Sequence, residues 1–263
     1  MDLKALTKRV ALNILPDTIL QPIKKAHYAR TLKSISSESE RDLGIVRMLV
    51  GEDDCVVDIG ANIGVYTKYL SELVGDFGCV YSIEPVPMTF DILSFNVKKL
   101  GLMNIELINC AISDTIGSAI MAVPRYESGG ENFYRSRIIF EHRNNSLRKV
   151  ACASKTIDSL FYDRPLHSIS FVKCDAEGNE LCCIKGALKL IEKCTPAWLI
   201  ELSGDPDSSD SSAYEVFELL HGKGYEGYWF DGERLHRRRS GDQSINYFFL
   251  GPRHVHKLNE YKV

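Results

Sequence analysis

Residues 55–84 constrain this chain more than any other stretch. They read Cys-Val-Val-Asp-Ile-Gly-Ala-Asn-Ile-Gly-Val-Tyr-Thr, a helix-patterned run, then Gly-Cys-Val-Tyr-Ser-Ile-Glu. Residues 55–59 form a short apolar run with one acid near its end, the pattern of a buried parallel strand. Gly60, Ala61, Asn62, Ile63 and Gly64 make a tight loop, where two glycines allow unusual dihedrals and a close backbone approach by a ligand. From Val65 the apolar spacing becomes helical, through Leu70, Leu73 and Val74, until Gly75 and Gly78 break it before the next apolar run. This is a strand–loop–helix–strand unit, and the N-terminus of its helix is open to a ligand.

The acids in the unit narrow the choice of ligand. Asp58 sits at the tip of the first strand, where its charge would repel a pyrophosphate but accept hydrogen bonds from a cationic amino-acid moiety. Glu84 closes the second strand, where nucleotide-binding folds place an acid for ribose hydroxyls. A ligand with a ribose and a cationic amino-acid tail, but no phosphate, is S-adenosyl-L-methionine. A plain strand–turn–helix capped by Asp58 needs no ligand at all. A dinucleotide fold, the sharper rival, wants Gly-x-Gly-x-x-Gly, and Asn62 stands in the place of its second glycine.

The chain's 263 residues suffice for one large α/β domain with appendages. A formal net charge of −3 argues against a nucleic-acid footprint over the whole protein. The sequence holds no apolar run as long as a membrane span, and the N-terminus lacks a signal peptide's uninterrupted apolar core, so a cytoplasmic protein is expected. Five of the eight cysteines (Cys55, Cys79, Cys110, Cys152 and Cys174) fall in apolar, strand-like runs, and Cys182, Cys183 and Cys194 on or after a helix. With no Cys-x-x-Cys pair and no His-rich partner segment, reduced core thiols are expected, with no metal site.

Residues 1–43 read as a basic helical appendage and residues 44–263 as the main domain. In the first 35 residues Lys4, Lys8, Arg9, Lys24, Lys25, Arg30 and Lys33 face only Asp2 and Asp17. Such an element either lies on an anionic membrane surface or packs on the main domain with its charges in water, and the second is expected. A helix over about 42–50 leads into the first strand. Helical spacing continues over about 88–99, a third strand over about 105–111, and two strands, about 118–123 and 148–153, flank a polar, aromatic insertion at 124–147. An insertion of this length in a compact domain is expected to act as a substrate lid or as a flexible excursion. The run from Arg234 to Arg239 is expected to be a hairpin with solvated basic residues, between strands over about 225–230 and 245–250.

The second chemical motif is Lys173-Cys174-Asp175-Ala176-Glu177-Gly178-Asn179-Glu180. It follows an apolar strand and precedes a helical pattern at Leu181, Ile184, Leu188 and Ile191, with Asn179 in the N-cap position. A charged helix N-terminus explains Glu177 and Glu180 through the helix dipole, but it explains Lys173 and Asp175 poorly. In open α/β sheets ligands bind at the carboxyl ends of strands, so this block is expected to be functional.

These motifs together resemble the FkbM-type methyltransferases, within the class I S-adenosylmethionine-dependent enzymes. The resemblance rests on residues 57–67, on Ile83-Glu84-Pro85, on Asn109-Cys110-Ala111-Ile112-Ser113-Asp114, and most specifically on residues 172–180 followed by Gly186; it covers about residues 40–250. It implies a Rossmann-like, mostly parallel seven-stranded sheet with an antiparallel last strand and helices on both faces. For the cofactor it implies Asp58, Gly60, Ala61, Asn62, Gly64, Tyr66 and Thr67 from the first motif, then Glu84, Pro85, Cys110 and Ala111. Its typical activity is O-methylation of hydroxyls on sugars, polyketides and other metabolites, a small-molecule acceptor with no nucleic acid.

Methyl transfer to oxygen asks for alignment and for one proton to be managed. Asp175 and Glu177 are the candidates for base and substrate anchor, and Lys173 for holding their charge state or stabilising the developing alkoxide. An N-methyltransferase, a catalytically silent binding module and a nucleotide-dependent oxidoreductase are the alternatives. Asn62 in the glycine loop and the absence of Gly-x-Gly-x-x-Gly stand against the last, and the complete set of Asp58, Glu84, Asp175 and Glu177 against a silent copy.

Overall fold

The computed structural model describes residues 17–35, 40–124, 136–138, 147–163 and 169–258. The insertion expected to act as a lid lies almost wholly outside the described residues, as do the first sixteen positions. In chain order the N-terminal part runs α1 (Asp17–Ser34), α2 (Leu43–Leu49), β1 (Cys55–Ile59), α3 (Val65–Val74), β2 (Cys79–Ile83) and α4 (Pro87–Leu100). There follow β3 (Ile105–Ile108), β4 (Ala111–Ile112), β5 (Gly117–Val123), β6 (Arg137–Ile138), β7 (Arg148–Lys155), α5 (Ile157–Leu160) and β8 (Ile169–Cys174). The C-terminal part is α6 (Glu180–Lys185), α7 (Leu188–Cys194), β9 (Ala197–Glu201), α8 (Ser212–His221), β10 (Glu226–Phe230), β11 (Leu235–Arg237), β12 (Asn246–Leu250) and α9 (Pro252–Lys257).

The main sheet runs β11-β10-β12-β9-β8-β1-β2-β3, with β3, β2, β1, β8 and β9 mutually parallel and β12 antiparallel between β9 and β10. This is the Rossmann-like α/β architecture with the antiparallel final strand. Alternation along each strand sends neighbouring side chains to opposite faces. Val57, Ile59, Ile83 and Trp198 join one core with α6, α7 and α8. Val56, Val80, Phe171 and Leu199 join the other with α2 and α3. Both faces are therefore covered, as a parallel sheet requires.

Three details differ from the expected elements. An eighth strand, β11, extends the sheet: Leu235 is fully buried, while Arg237 bonds Glu226 at 2.6 Å along the edge. Arg238 beside it is not solvated, because its guanidinium meets Asp207 at 2.6 Å and lies over the Phe217 ring. The third strand stops at Ile108, because the Asn109 amide donates to the carbonyls of Glu84 and Pro85 and turns the chain out of the sheet. Strands β4, β5, β6 and β7 then form a separate four-stranded sheet in the order β4-β7-β5-β6.

Helix α1 lies on the domain. Ala29 and Leu32 are buried, and Lys25 reaches Asp91 of α4 at 2.7 Å and stands over the Phe95 ring. No helix among the described residues is long and apolar enough to cross a membrane.

Candidate active site

The chain leaves β1 toward β2 and β3 on one side and later returns through β8 and β9 on the other. The switch point therefore falls between β1 and β8, where open α/β sheets bind their ligands. Two clefts open there, and Gly60, Asn62 and Asp175 line both. Gly60, at φ +76°, has no room for a side chain, since a Cβ there would collide with the carbonyl oxygen of Asp175. The Asp175 amide completes the junction by donating to the Ile59 carbonyl at 3.1 Å.

The first cleft, about 580 Å³ of empty space, lies between the β1 and β2 tips and the small sheet. Its apolar walls include Ile83, Cys110, Ala111, Met121 and Ile138, and Pro85 borders it. Glu84 is 5% exposed, and each of its oxygens accepts one backbone N–H, Oε2 from Asn62 at 3.0 Å and Oε1 from Val86 at 2.9 Å. Each oxygen keeps a second lone pair for a ligand hydroxyl. Burial raises the carboxyl to about 7, against the lowering effect of those two backbone donors. Asn62 holds a left-handed φ of +53°, and its buried Oδ1 has no hydrogen-bond partner.

The second cleft, on the β8 and β9 side, is acidic. Asp58 is 1% exposed, and Thr67 donates to its Oδ2 at 2.6 Å; burial raises it to about 6 despite Thr67 and Lys173. Lys173, paired with Asp58 across the β1–β8 ladder, is 3% exposed. Its Nζ lies 3.4 Å from Asp175 Oδ2 and 5.1 Å from the centroid of Tyr66, yet makes no hydrogen bond. The buried Tyr66 hydroxyl also has no hydrogen-bond partner. Glu201, at the end of β9, Asn246, Tyr28 and Glu40 also line this cleft. Glu40 and Asp42 are both raised chiefly by burial, and Asp42 accepts from the Asn246 amide at 2.6 Å.

The structure thus brings Asp175 and Lys173 together but sets Glu177 apart. Glu177 adopts a left-handed φ of +50°, is exposed, and lines the first cleft rather than the second. Asp175 and Glu177, the expected base and anchor, both line the first cleft, and Asp175 also lines the second with Lys173 and Glu201. Asn179 occupies the N-cap position but does not cap; its amide donates to the Ile112 carbonyl at 2.8 Å. Glu180 serves the loop instead, its Oε1 accepting from the amides of Ala176 and Gly178, both at 3.0 Å. Gly64 and Thr67 line neither cleft, Thr67 acting on Asp58 from behind, whereas Ala61 and Tyr66 line the second. Sequence reasoning missed Glu201, whose only signal was an acid ending a strand parallel to β8.

These residues fit an S-adenosylmethionine-shaped ligand. The apolar slot suits a flat base, Glu84 retains acceptor capacity for ribose hydroxyls, and the orphaned Asn62 Oδ1 and the Asp58 carboxyl can receive an ammonium group. Among the described residues no group of three His, Cys, Asp or Glu could hold a metal ion.

Fold and site define a class I S-adenosylmethionine-dependent methyltransferase. The family model described as the methyltransferase FkbM domain matches residues 58–226, and the chain belongs to that family. Among solved structures, it is similar to the methyltransferase FkbM of Methylobacillus flagellatus KT at 17% identity, with 87% of this chain and 59% of that one covered, and a TM-score of 0.47. A SAM-dependent methyltransferase from Aquifex aeolicus is 15% identical over 84% of this chain and 97% of that one, with a TM-score of 0.45. No curated protein matches the sequence.

Proposed function

We propose that the protein transfers a methyl group to a hydroxyl oxygen of a small metabolite, a sugar or secondary metabolite, held in the acidic cleft. The observation that carries this reading is the buried Lys173 ammonium without a hydrogen bond, set against Asp175 on the wall that both clefts share. When bound, the cofactor supplies an electrophilic methyl group on a sulfonium.

This chain's residues do the rest. Asp58, Glu84, Asn62 and the Gly60 loop hold the donor side, and the shared wall sets the acceptor oxygen against it. Orientation of this kind is worth several kcal/mol in well-placed systems. Asp175 takes the hydroxyl proton, a role typically worth about 10²–10⁴-fold. The Lys173 ammonium stabilises the negative charge that develops on the oxygen, and from its first-cleft position Glu177 anchors substrate at the mouth. Residues 1–43 act as an appendage whose α1 supplies Tyr28 to the acceptor cleft. The eight free thiols support a cytosolic setting.

The test is to supply labelled donor and the small-molecule fraction of a cell extract to purified protein and to identify the methylated product. A methyl ether is expected. A methylated amine would move the acceptor from oxygen to nitrogen, and no labelled product from a donor-binding protein would overturn the reading.

A further inference from the structure

The inference below rests on Asp175 as the base and deepens that reading. Asp175 follows the last paired residue of β8, and the register Lys173↔Leu199, Cys174↔Ile200 carries it opposite Glu201 at the end of the parallel strand β9. Both carboxyls line the acidic cleft, and burial, then the Asp175 charge, raises Glu201. We infer that the proton acceptor is this carboxyl pair rather than Asp175 alone, with Glu201 the positioning residue that shares the proton Asp175 receives.

The surroundings are built for such a pair. Glu201 is pushed above the ordinary glutamate range by its burial first and then by the Asp175 charge, with Glu180 of α6 adding to the rise and Lys173 opposing it. From β1 comes Asp58, from α3 the Tyr66 hydroxyl, from the segment before α2 Glu40, and from β12 the neutral Asn246, which pairs with Glu201 in the ladder. Lys173 is the one cation lining the cleft among the described residues, and it stands beside Asp175 and not beside a lone acid elsewhere. Two like charges at one site resist ionising together, so the second proton is held at a pH nearer neutrality than a lone carboxylate would hold it. A base whose affinity for protons lies near the working pH is the more effective one.

The step balances as follows. The bond from methyl carbon to acceptor oxygen forms, and the sulfur–methyl bond breaks with its electron pair left on sulfur. The hydroxyl proton passes to Asp175 and is held between Asp175 and Glu201 until water takes it. The doubly ionised pair is the reactive form, and the singly protonated pair is the product form.

The test reads the carboxyls themselves. Protein with ¹³C-labelled glutamate carboxyls is titrated by NMR, with Glu201 assigned from the resonance missing in Glu201→Gln or, where that variant does not fold, in Glu201→Asp. Glu201 is expected to titrate above the ordinary glutamate range in wild type and to move back toward it in Asp175→Asn. An unchanged Glu201 titration in Asp175→Asn overturns the pair. A second arm follows methyl transfer from labelled donor into the extract fraction against pH. Glu201→Gln is expected to lower the rate about 10–100-fold and to shift the acid limb of the profile to lower pH, with donor affinity unchanged, and Glu201→Asp to restore part of the rate. An acid limb that stays in place in Glu201→Gln overturns the pair while leaving Asp175 as the base. A wild-type protein that binds donor but transfers no methyl group overturns the proposed function instead, while the titration still decides whether the pair exists.

Discussion

The two clefts share a wall yet differ in what stands opposite it. The first cleft turns apolar side chains of the small sheet toward Glu84, which backbone amides hold at the tip of β2, and Asp175 and Glu177 line it as well. The second cleft gathers Glu40, Asp58, Asp175 and Glu201 around one buried lysine. The first cleft also lies within residues 58–226, the span the family model matches, whereas the second draws Tyr28, Glu40 and Asn246 from outside it. The proposed donor cleft thus falls wholly within the family span, whereas the proposed acceptor cleft adds residues from its flanks.

The largest expected effect falls on the acceptor side. Asp175→Asn keeps shape and hydrogen-bonding capacity, so methyl transfer should drop about 10²–10⁴-fold while thermal melting and donor affinity stay close to wild type. Wild-type turnover in a stable, donor-binding variant would remove Asp175 as the base and erase the contrast between the clefts.

The donor side should answer in binding. Glu84→Ala removes the acceptor of two backbone amides and of the ribose hydroxyls, and a loss of about 1–3 kcal/mol in donor affinity is expected by calorimetry. Equal affinity in wild type and variant would take Glu84 out of the donor site.

Protons sharpen the comparison further. Asp58 rises to about 6 and Glu84 to about 7, chiefly through burial. A carboxyl whose folded value exceeds its unfolded one binds its proton more tightly in the folded state. Its contribution to stability is therefore full below the unfolded value and is lost as pH rises through the folded one. Between pH 4 and 7 the donor-free wild type should lose stability relative to Asp58→Asn, as chemical denaturation would record. Over the same window donor affinity should rise in wild type, because the ionised acids receive the donor's hydroxyls and ammonium. A flat affinity profile from pH 5 to 8 would show that neither carboxyl meets the donor in its charged form.

Much of this was legible in the sequence, where the determinants are local. The run from Cys55 to Glu84 encodes strand, loop and helix by spacing alone, and the structure places Asp58 and Glu84 at strand tips beside the two clefts. The acid content of residues 173–180 was equally plain, but its division of labour was not. Glu177 is carried to the other cleft by a left-handed turn at a residue that is not glycine. Glu201 meets Asp175 only because β9 lies parallel beside β8, a long-range fact that spacing does not carry. Asn179 forgoes its cap for a carbonyl 67 positions away, and Asn109 ends β3 by a similar reach.

The smallest expected effects lie on the appendage. Tyr28→Ala should leave donor affinity unchanged while altering which extract molecules are methylated, as mass spectrometry of the products would show. Lys25→Ala breaks a surface ion pair whose aspartate is half exposed, and a stability loss of no more than about 1 kcal/mol is expected in the melt. A large loss would mean that α1 belongs to the domain's folding unit rather than being docked upon it.

The glycine at position 60 carries a consequence for how the two halves are gauged. With no side chain between them, the β1 loop that borders the donor and the peptide that carries Asp175 touch main chain to main chain. The spacing from the β1 loop to the backbone of Asp175 is therefore ruled by covalent geometry and one amide bond, not by the choice of a rotamer. The enzyme has in effect a fixed caliper at its centre. Any residue larger than glycine would open that caliper and put both clefts out of measure in a single change.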